Sequence, residues 1–156
     1  NIQVSALEKS DVNVVIREAV EDIKGIMRTD DIDIKLSLMQ NPPLFMIDKT
    51  NLKKAILNIL QNAIEASDKK GEINITTMPS EGGYMELVIK DTGCGIKSED
   101  IKNIFNPFYT SKMTGAGLGL TIAYKIIQDN KGDITVESPD GKGTIVSIKF
   151  PIIREG

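Results

Sequence analysis

Histidine is absent from the 156 residues, cysteine occurs once, and aromatic side chains make up 4%. A single cysteine cannot close an internal disulfide, which fits a reducing compartment. With no histidine, any imidazole the chemistry needs has to come from another segment or another chain. No apolar run approaches the ~20 residues of a membrane span, and no signal-like segment is present. The formal net charge of -3 gives no electrostatic reason to expect nucleic acid or an anionic membrane as partner. Internal repeats and low-complexity tracts are missing as well. What remains is an ordinary globular composition, 40% hydrophobic and 26% charged, sufficient for one domain spanning residues 1–156 with its own core. The chain starts at Asn1 without a methionine and reads as a piece of a longer protein, residues 1–10 being a loose lead-in from a preceding domain.

Apolar spacing divides the chain into elements. After a possible cap at Ser10-Asp11, the positions Val12, Val15, Ile16, Ala19, Val20, Ile23 and Met27 recur at helical intervals. Residues 32–38 alternate as a half-buried strand, Asn41-Pro42-Pro43 breaks it, and Leu44 to Ile47 is a short second strand. Asp48 or Thr50 can cap a helix over 51–67, whose apolar stripe is Leu52, Ile56, Ile59, Leu60 and Ala63. Residues 72–77 and 84–90 alternate as strands joined by the turn-rich 79–83, a hairpin. Ser98 can cap a short helix through Ile104, and the aromatic-rich 105–112 is irregular. A further helix opens within 114–120, carries Leu118, Ile122, Ala123, Ile126 and Ile127, and closes at Asn130-Lys131-Gly132. Strands over 133–138 and 144–151 end the chain.

Three features look chemical. In the strand over 84–90, Met85, Leu87 and Ile89 share a face, and the same period of two puts Asp91 in phase with them. An inward carboxylate is costly unless hydrogen bonds reach it. Asp91-Thr92-Gly93-Cys94-Gly95 therefore either recognises a ligand donor or caps a following backbone amide. On the helix over 51–67, Asn58 and Asn62 lie one turn apart on the polar side with Asn51, Lys54 and Glu65. Asparagine is a poor mid-helix surface residue, so the pair is either a solvated face or has work for its amides. Finally, Gly115-x-Gly117-x-Gly119 precedes a helix, where free N–H groups and the dipole attract anions. Its spacing matches neither the dinucleotide fingerprint nor a P-loop.

Taken in order, Asn58 and Asn62, Asp91-x-Gly93-x-Gly95, Phe105 to Phe108, Gly115-x-Gly117-x-Gly119-Leu120 and Gly141-x-Gly143-Thr144 closely resemble the ATP-binding catalytic domain of bacterial sensor histidine kinases, in the superfamily that includes gyrase, Hsp90 and MutL. The resemblance spans roughly residues 12–152, and Asn-Pro-Phe-Tyr-Thr-Ser-Lys over 106–112 is similar to the nitrogen-regulation and sporulation kinase branch. It implies ATP and Mg²⁺ as cofactors. Asp91 would accept the adenine amino group, with Ala66, Gly93, Gly95 and Ile96 lining the same end, and Thr144 would close the far side. Asn62 would coordinate Mg²⁺ through a hard amide oxygen, with Asn58 beside it near the phosphates. Gly115, Ala116, Gly117, Leu118, Gly119 and Leu120 would form the lid hinge and the amides at the helix start, while Phe105 and Phe108 anchor the lid.

The sequence departs from the family at several positions. Glu65 and Thr110 stand where many members have basic residues, which leaves Lys112 as the candidate cation for the γ-phosphate. The lid between Lys112 and Gly115 is short. Related ATPases and anti-sigma serine kinases carry a glutamate general base where this chain has Asn58, and an amide cannot take that proton. The resemblance then implies a histidine kinase whose catalysis is positioning by Asn58, Asn62 and Lys112. The acceptor histidine would lie on a dimerisation domain outside this chain, and a response regulator would act downstream. A cytoplasmic location follows, with an isolated domain that is monomeric, a homodimeric parent that could be membrane-anchored, and no nucleic-acid partner. An anti-sigma-like binding module or an ATPase is the alternative. Cys94 is either a tolerated small residue or, if exposed, an oxidation-sensitive one. The implied fold is α+β, a two-layer α/β sandwich with a mixed, mostly antiparallel sheet of about five strands on three main helices.

Overall fold

The strand over 84–91 forms the spine of the molecule, and its pattern is the alternation described above: Met85, Leu87, Ile89 and Asp91 are buried, and the residues between them are not. The computed structural model describes residues 7–67, 70–105, 119–139 and 142–152. In chain order the elements are β1 (Glu8–Ser10), α1 (Val12–Ile26), β2 (Ile32–Ser37), β3 (Phe45–Ile47), α2 (Lys49–Ala66), β4 (Gly71–Ser80), β5 (Tyr84–Asp91), α3 (Ser98–Ile101), α4 (Gly119–Asp129), β6 (Asp133–Glu137) and β7 (Thr144–Pro151). Five strands make one sheet in the order β2-β4-β5-β7-β6. Only the β2–β4 pairing is parallel, because β2 and β4 are joined through a helix whereas β4 and β5 are joined by a tight turn. That turn has Gly82 and Gly83 at φ +76° and +79°.

Helices α1, α2 and α4 cover one face of the sheet, with α2 between the other two. Their apolar stripes meet Ile73 and Ile75 of β4, Met85, Leu87 and Ile89 of β5, and Val146, Ile148 and Phe150 of β7. This is the expected two-layer α+β arrangement. Asp11 caps α1 and Asp48, not Thr50, caps α2, each accepting a backbone N–H in the first turn. One polar network is buried in the core: Asn13 donates to the Met39 carbonyl at 2.8 Å and accepts from the Thr77 hydroxyl at 3.0 Å.

Three local expectations are corrected. Within the supposed loose lead-in, Glu8–Ser10 is a strand, and it pairs antiparallel with β3 in a separate two-stranded sheet. The pairing gives both short strands ladder partners that neither could find alone. Ser98 is the first residue of α3 rather than its cap; Lys97 holds that position without a side-chain bond, and the helix stops at Ile101. Ile122 is 55% exposed because the buried stripe of α4 is centred on Leu120, Ala123 and Ile127, leaving Ile122 beyond its edge. Helix α4 does close at Asn130-Lys131-Gly132, with Lys131 as the left-handed residue at φ +62°. Gly132 is needed for space: a Cβ there would sit 2.9 Å from both Ile127 Cγ2 and the Lys149 carbonyl oxygen.

Candidate functional site

Asp91 ends β5 pointing into the layer between sheet and helices, with 6% of its surface exposed. Burial pushes its carboxyl up to about 6, while the backbone N–H groups of Gly93 and Thr144 pull the other way. The Gly93 N–H reaches Oδ1 at 2.8 Å. The capping reading and the inward-carboxylate reading are thus both realised in one side chain. Two N–H groups leave lone pairs unused on an anion that is mostly ionised at neutral pH.

The turn after Asp91 is held from three directions. A Cβ on Gly93 would lie 2.8 Å from both the Cβ and the carbonyl oxygen of Ala66, so glycine allows the turn to touch the end of α2. There the Cys94 N–H donates to the Ala66 carbonyl at 3.0 Å. From just before β7, the Gly143 N–H donates to the Gly93 carbonyl at 3.1 Å. Gly143 has φ +62°, and a Cβ on it would meet the Asp91 carbonyl oxygen at 2.5 Å. Thr144 is buried and pairs with Asp91 across β5 and β7. Gly95 has φ +77°, and beyond it the Ile96 N–H donates to Ser138 Oγ at 2.9 Å. Cys94 is exposed.

Asn58, Asn62 and Ala66 recur every fourth residue along α2, a single face about 12 Å long. At one end Ala66 touches the Asp91 turn. At the other, Asn58 Oδ1 accepts the Ala123 N–H at 3.1 Å, tying α2 to the first turns of α4. Asn62 Nδ2 donates to the Asn58 carbonyl at 2.9 Å, which fixes its amide and leaves Oδ1 without a protein donor among the described residues. That oxygen suits a hard cation. No group of three or more acidic or sulfur ligands stands ready for a metal among the described residues, so a cation here has to take its other ligands from phosphate and water. The donor set therefore fits Mg²⁺ carried in with a triphosphate.

Phe105 is half-buried and stacks on Tyr124 of α4 with ring centroids 4.7 Å apart; its carbonyl accepts from Thr121 Oγ1 at 3.4 Å. Gly119 begins α4 and Leu120 is buried in the core. Phe108, Lys112, Gly115, Ala116, Gly117 and Leu118 lie outside the described residues. Three contributors had no signal in the sequence: Ser138, Tyr124 and the Ala123 amide. Each owes its place to a contact across 16 or more residues of chain or, for Ser138, to both turns at once.

A family model described as histidine kinase-, DNA gyrase B-, and HSP90-like ATPase matches residues 47–154. The chain belongs to this family. The chain is 33% identical over 145 residues to sporulation kinase E of Bacillus subtilis (strain 168), an alignment covering 93% of this chain and 20% of that kinase, so it spans about a fifth of its relative's length. The solved catalytic domain of histidine kinase ThkA superposes with a TM-score of 0.83 at 30% identity, covering 95% of this chain and 97% of that one. Histidine kinase ThkA in complex with the response regulator protein TrrA gives a TM-score of 0.79 at 28% identity, covering 94% of this chain and 42% of that one. The domain is of the sensor histidine kinase type, and ATP is its nucleotide. Among the described residues no helix is long and apolar enough to cross a membrane.

Proposed function

We propose that the domain binds Mg-ATP along the Asn58–Asn62–Ala66 face of α2 and delivers the γ-phosphoryl group to a histidine carried elsewhere. The observation that carries this reading is Asp91: a buried carboxylate with two N–H donors and spare lone pairs. Such a group selects a ligand that offers a donor, as the exocyclic amine of adenine does, and rejects a carbonyl at the same place. Ala66, Gly93, Gly95 and Ile96 shape that end, and Thr144 closes it. Asn62 Oδ1 would hold Mg²⁺, and Asn58 Nδ2, which has no acceptor among the described residues, would donate to a phosphate oxygen. Bound Mg²⁺ would neutralise charge on the phosphates as the terminal group leaves. Lys112 and the stretch from Gly115 to Leu118 would complete the phosphate end, with Phe105 and Phe108 as lid anchors.

Asn58 stands where a hydrolytic relative needs a general base, and its amide oxygen already accepts the Ala123 N–H. Rapid ATP hydrolysis is therefore disfavoured. The absence of histidine puts the acceptor outside this chain, on a dimerisation domain of the parent protein, and the similarity to ThkA supports a response regulator as the next recipient. The isolated domain is read as monomeric and cytoplasmic, the parent as a homodimer. Calorimetric titration of Mg-ATP into wild type and Asp91→Ala tests the adenine assignment, and equal affinities would sink it. Slow turnover by the domain alone, with acid-labile phosphate appearing on an added histidine-bearing domain, is the expected kinase behaviour. Fast hydrolysis by the isolated domain would point to an ATPase instead.

A further inference from the structure

We propose that Ser138 is a positioning residue for the nucleobase end of the site, a single hydroxyl that locks the Asp91 turn against the turn leading into β7. The inference rests on the reading that the base is bound at Asp91. That end of the site is assembled from two stretches more than forty residues apart in sequence, 91–96 and, among the described residues, 138–139 with 142–143. Near Asp91 they are joined by the Thr144 N–H to the carboxylate and the Gly143 N–H to the Gly93 carbonyl. Past Gly93 the chain runs through Gly95 at φ +77°, and a glycine there leaves the direction of the following residues undetermined by local sterics. Ile96 is nevertheless fixed. Its N–H donates to Ser138 Oγ at 2.9 Å, and the same hydroxyl donates to the Gly143 carbonyl. One oxygen thus acts as acceptor for one loop and donor to the other, so removing it frees both at once. Apart from the Asp91 carboxylate, no other side chain among the described residues bridges the two loops by a hydrogen bond.

Ser138 hydrogen-bonds to neither Asp91 nor the α2 asparagines, so its substitution leaves the binding groups intact and alters only how rigidly they are presented. Ordering the two loops on binding then becomes an added cost, expected to weaken Mg-ATP about tenfold in Ser138→Ala. Ser138→Thr, which keeps the hydroxyl, is expected to stay within about twofold of wild type. In the nucleotide-free protein, amide hydrogen exchange of Ser138→Ala should accelerate at Ile96 and in the two loops while the strands of the sheet keep wild-type protection. Unchanged Mg-ATP affinity in Ser138→Ala overturns the proposal. So does a loss accompanied by uniformly faster exchange throughout the sheet, which marks general destabilisation, or an equal loss in Ser138→Thr. Asp91→Ala is measured alongside. If it binds like wild type, the adenine assignment fails and this inference with it; if it loses binding while Ser138→Ala does not, only the role of Ser138 is refuted.

Discussion

Replacing Asp91 by asparagine should stabilise the folded domain while destroying its nucleotide binding, and the structure sets the size of the gain. The carboxyl rises from an ordinary 3.8 to about 6 in the folded state, chiefly through burial. Between those values the folded protein holds a proton that the unfolded chain has released, so stability falls as pH rises from about 4 through 6 and is flat above. At about 1.4 kcal/mol per pH unit, carrying the charged form at neutral pH costs about 3 kcal/mol. Asparagine does not titrate and is free of this cost. Its amide cannot reproduce every hydrogen bond of the carboxylate, which adds a constant offset, so the measurement of interest is the change with pH. Urea unfolding of wild type and Asp91→Asn at half-unit steps from pH 4 to 8 gives that difference directly. The advantage of the variant should grow by about 2.4 kcal/mol between pH 4 and 7, the rest of the cost being already present at pH 4, with its midpoint near 5. A difference that stays flat, or one that shrinks as pH rises, refutes the claim that Asp91 is buried as a strained anion awaiting a donor.

Two further substitutions separate the framework from the site. Gly143→Ala should cost about 2 kcal/mol or more, since its φ of +62° is joined by a Cβ contact of 2.5 Å with the Asp91 carbonyl oxygen. Gly83→Ala, at φ +79° with nothing within 4 Å, should lose only about 1 kcal/mol; equal losses by chemical denaturation would show that the close approach at Gly143 is unimportant. Asn13→Ala should lower stability by about 1–3 kcal/mol by leaving the Met39 carbonyl without its donor and the Thr77 hydroxyl proton without its acceptor. Mg-ATP affinity should not follow, because Thr77 lies four residues, about 13 Å, along β4 from the pairing partner of Asp91, and a matching affinity loss would contradict that separation.

Much of the fold was legible because its periods are clean. The inward set of β5 includes Asp91 because a period of two leaves no choice of face, and α2 buries Leu52, Ile56, Ile59, Leu60 and Ala63 as one stripe. Errors fell where the pattern was short or the deciding contact distant. Three residues of β1 carry too little alternation to declare a strand, and only pairing with β3 makes them one. Ile122 fits a helical interval with Ile126, yet the centre of the buried stripe is chosen by what α4 packs against.

The sequence by itself determined the chemical vocabulary of the site: a carboxylate forced inward at a strand end, two amides one helical turn apart, glycines after the carboxylate and at the entry to a later helix, and no histidine to receive a phosphate. These follow from local periodicity and from counting, which need no tertiary contact. Only the tertiary structure decided how the groups are used. It gave the Asn58 amide oxygen to Ala123, left that of Asn62 open, set Gly93 against Ala66, and made Ser138 the bridge between two loops. Those assignments depend on which atoms meet after distant segments fold together, and hydrogen bonds between such segments leave no period in the chain.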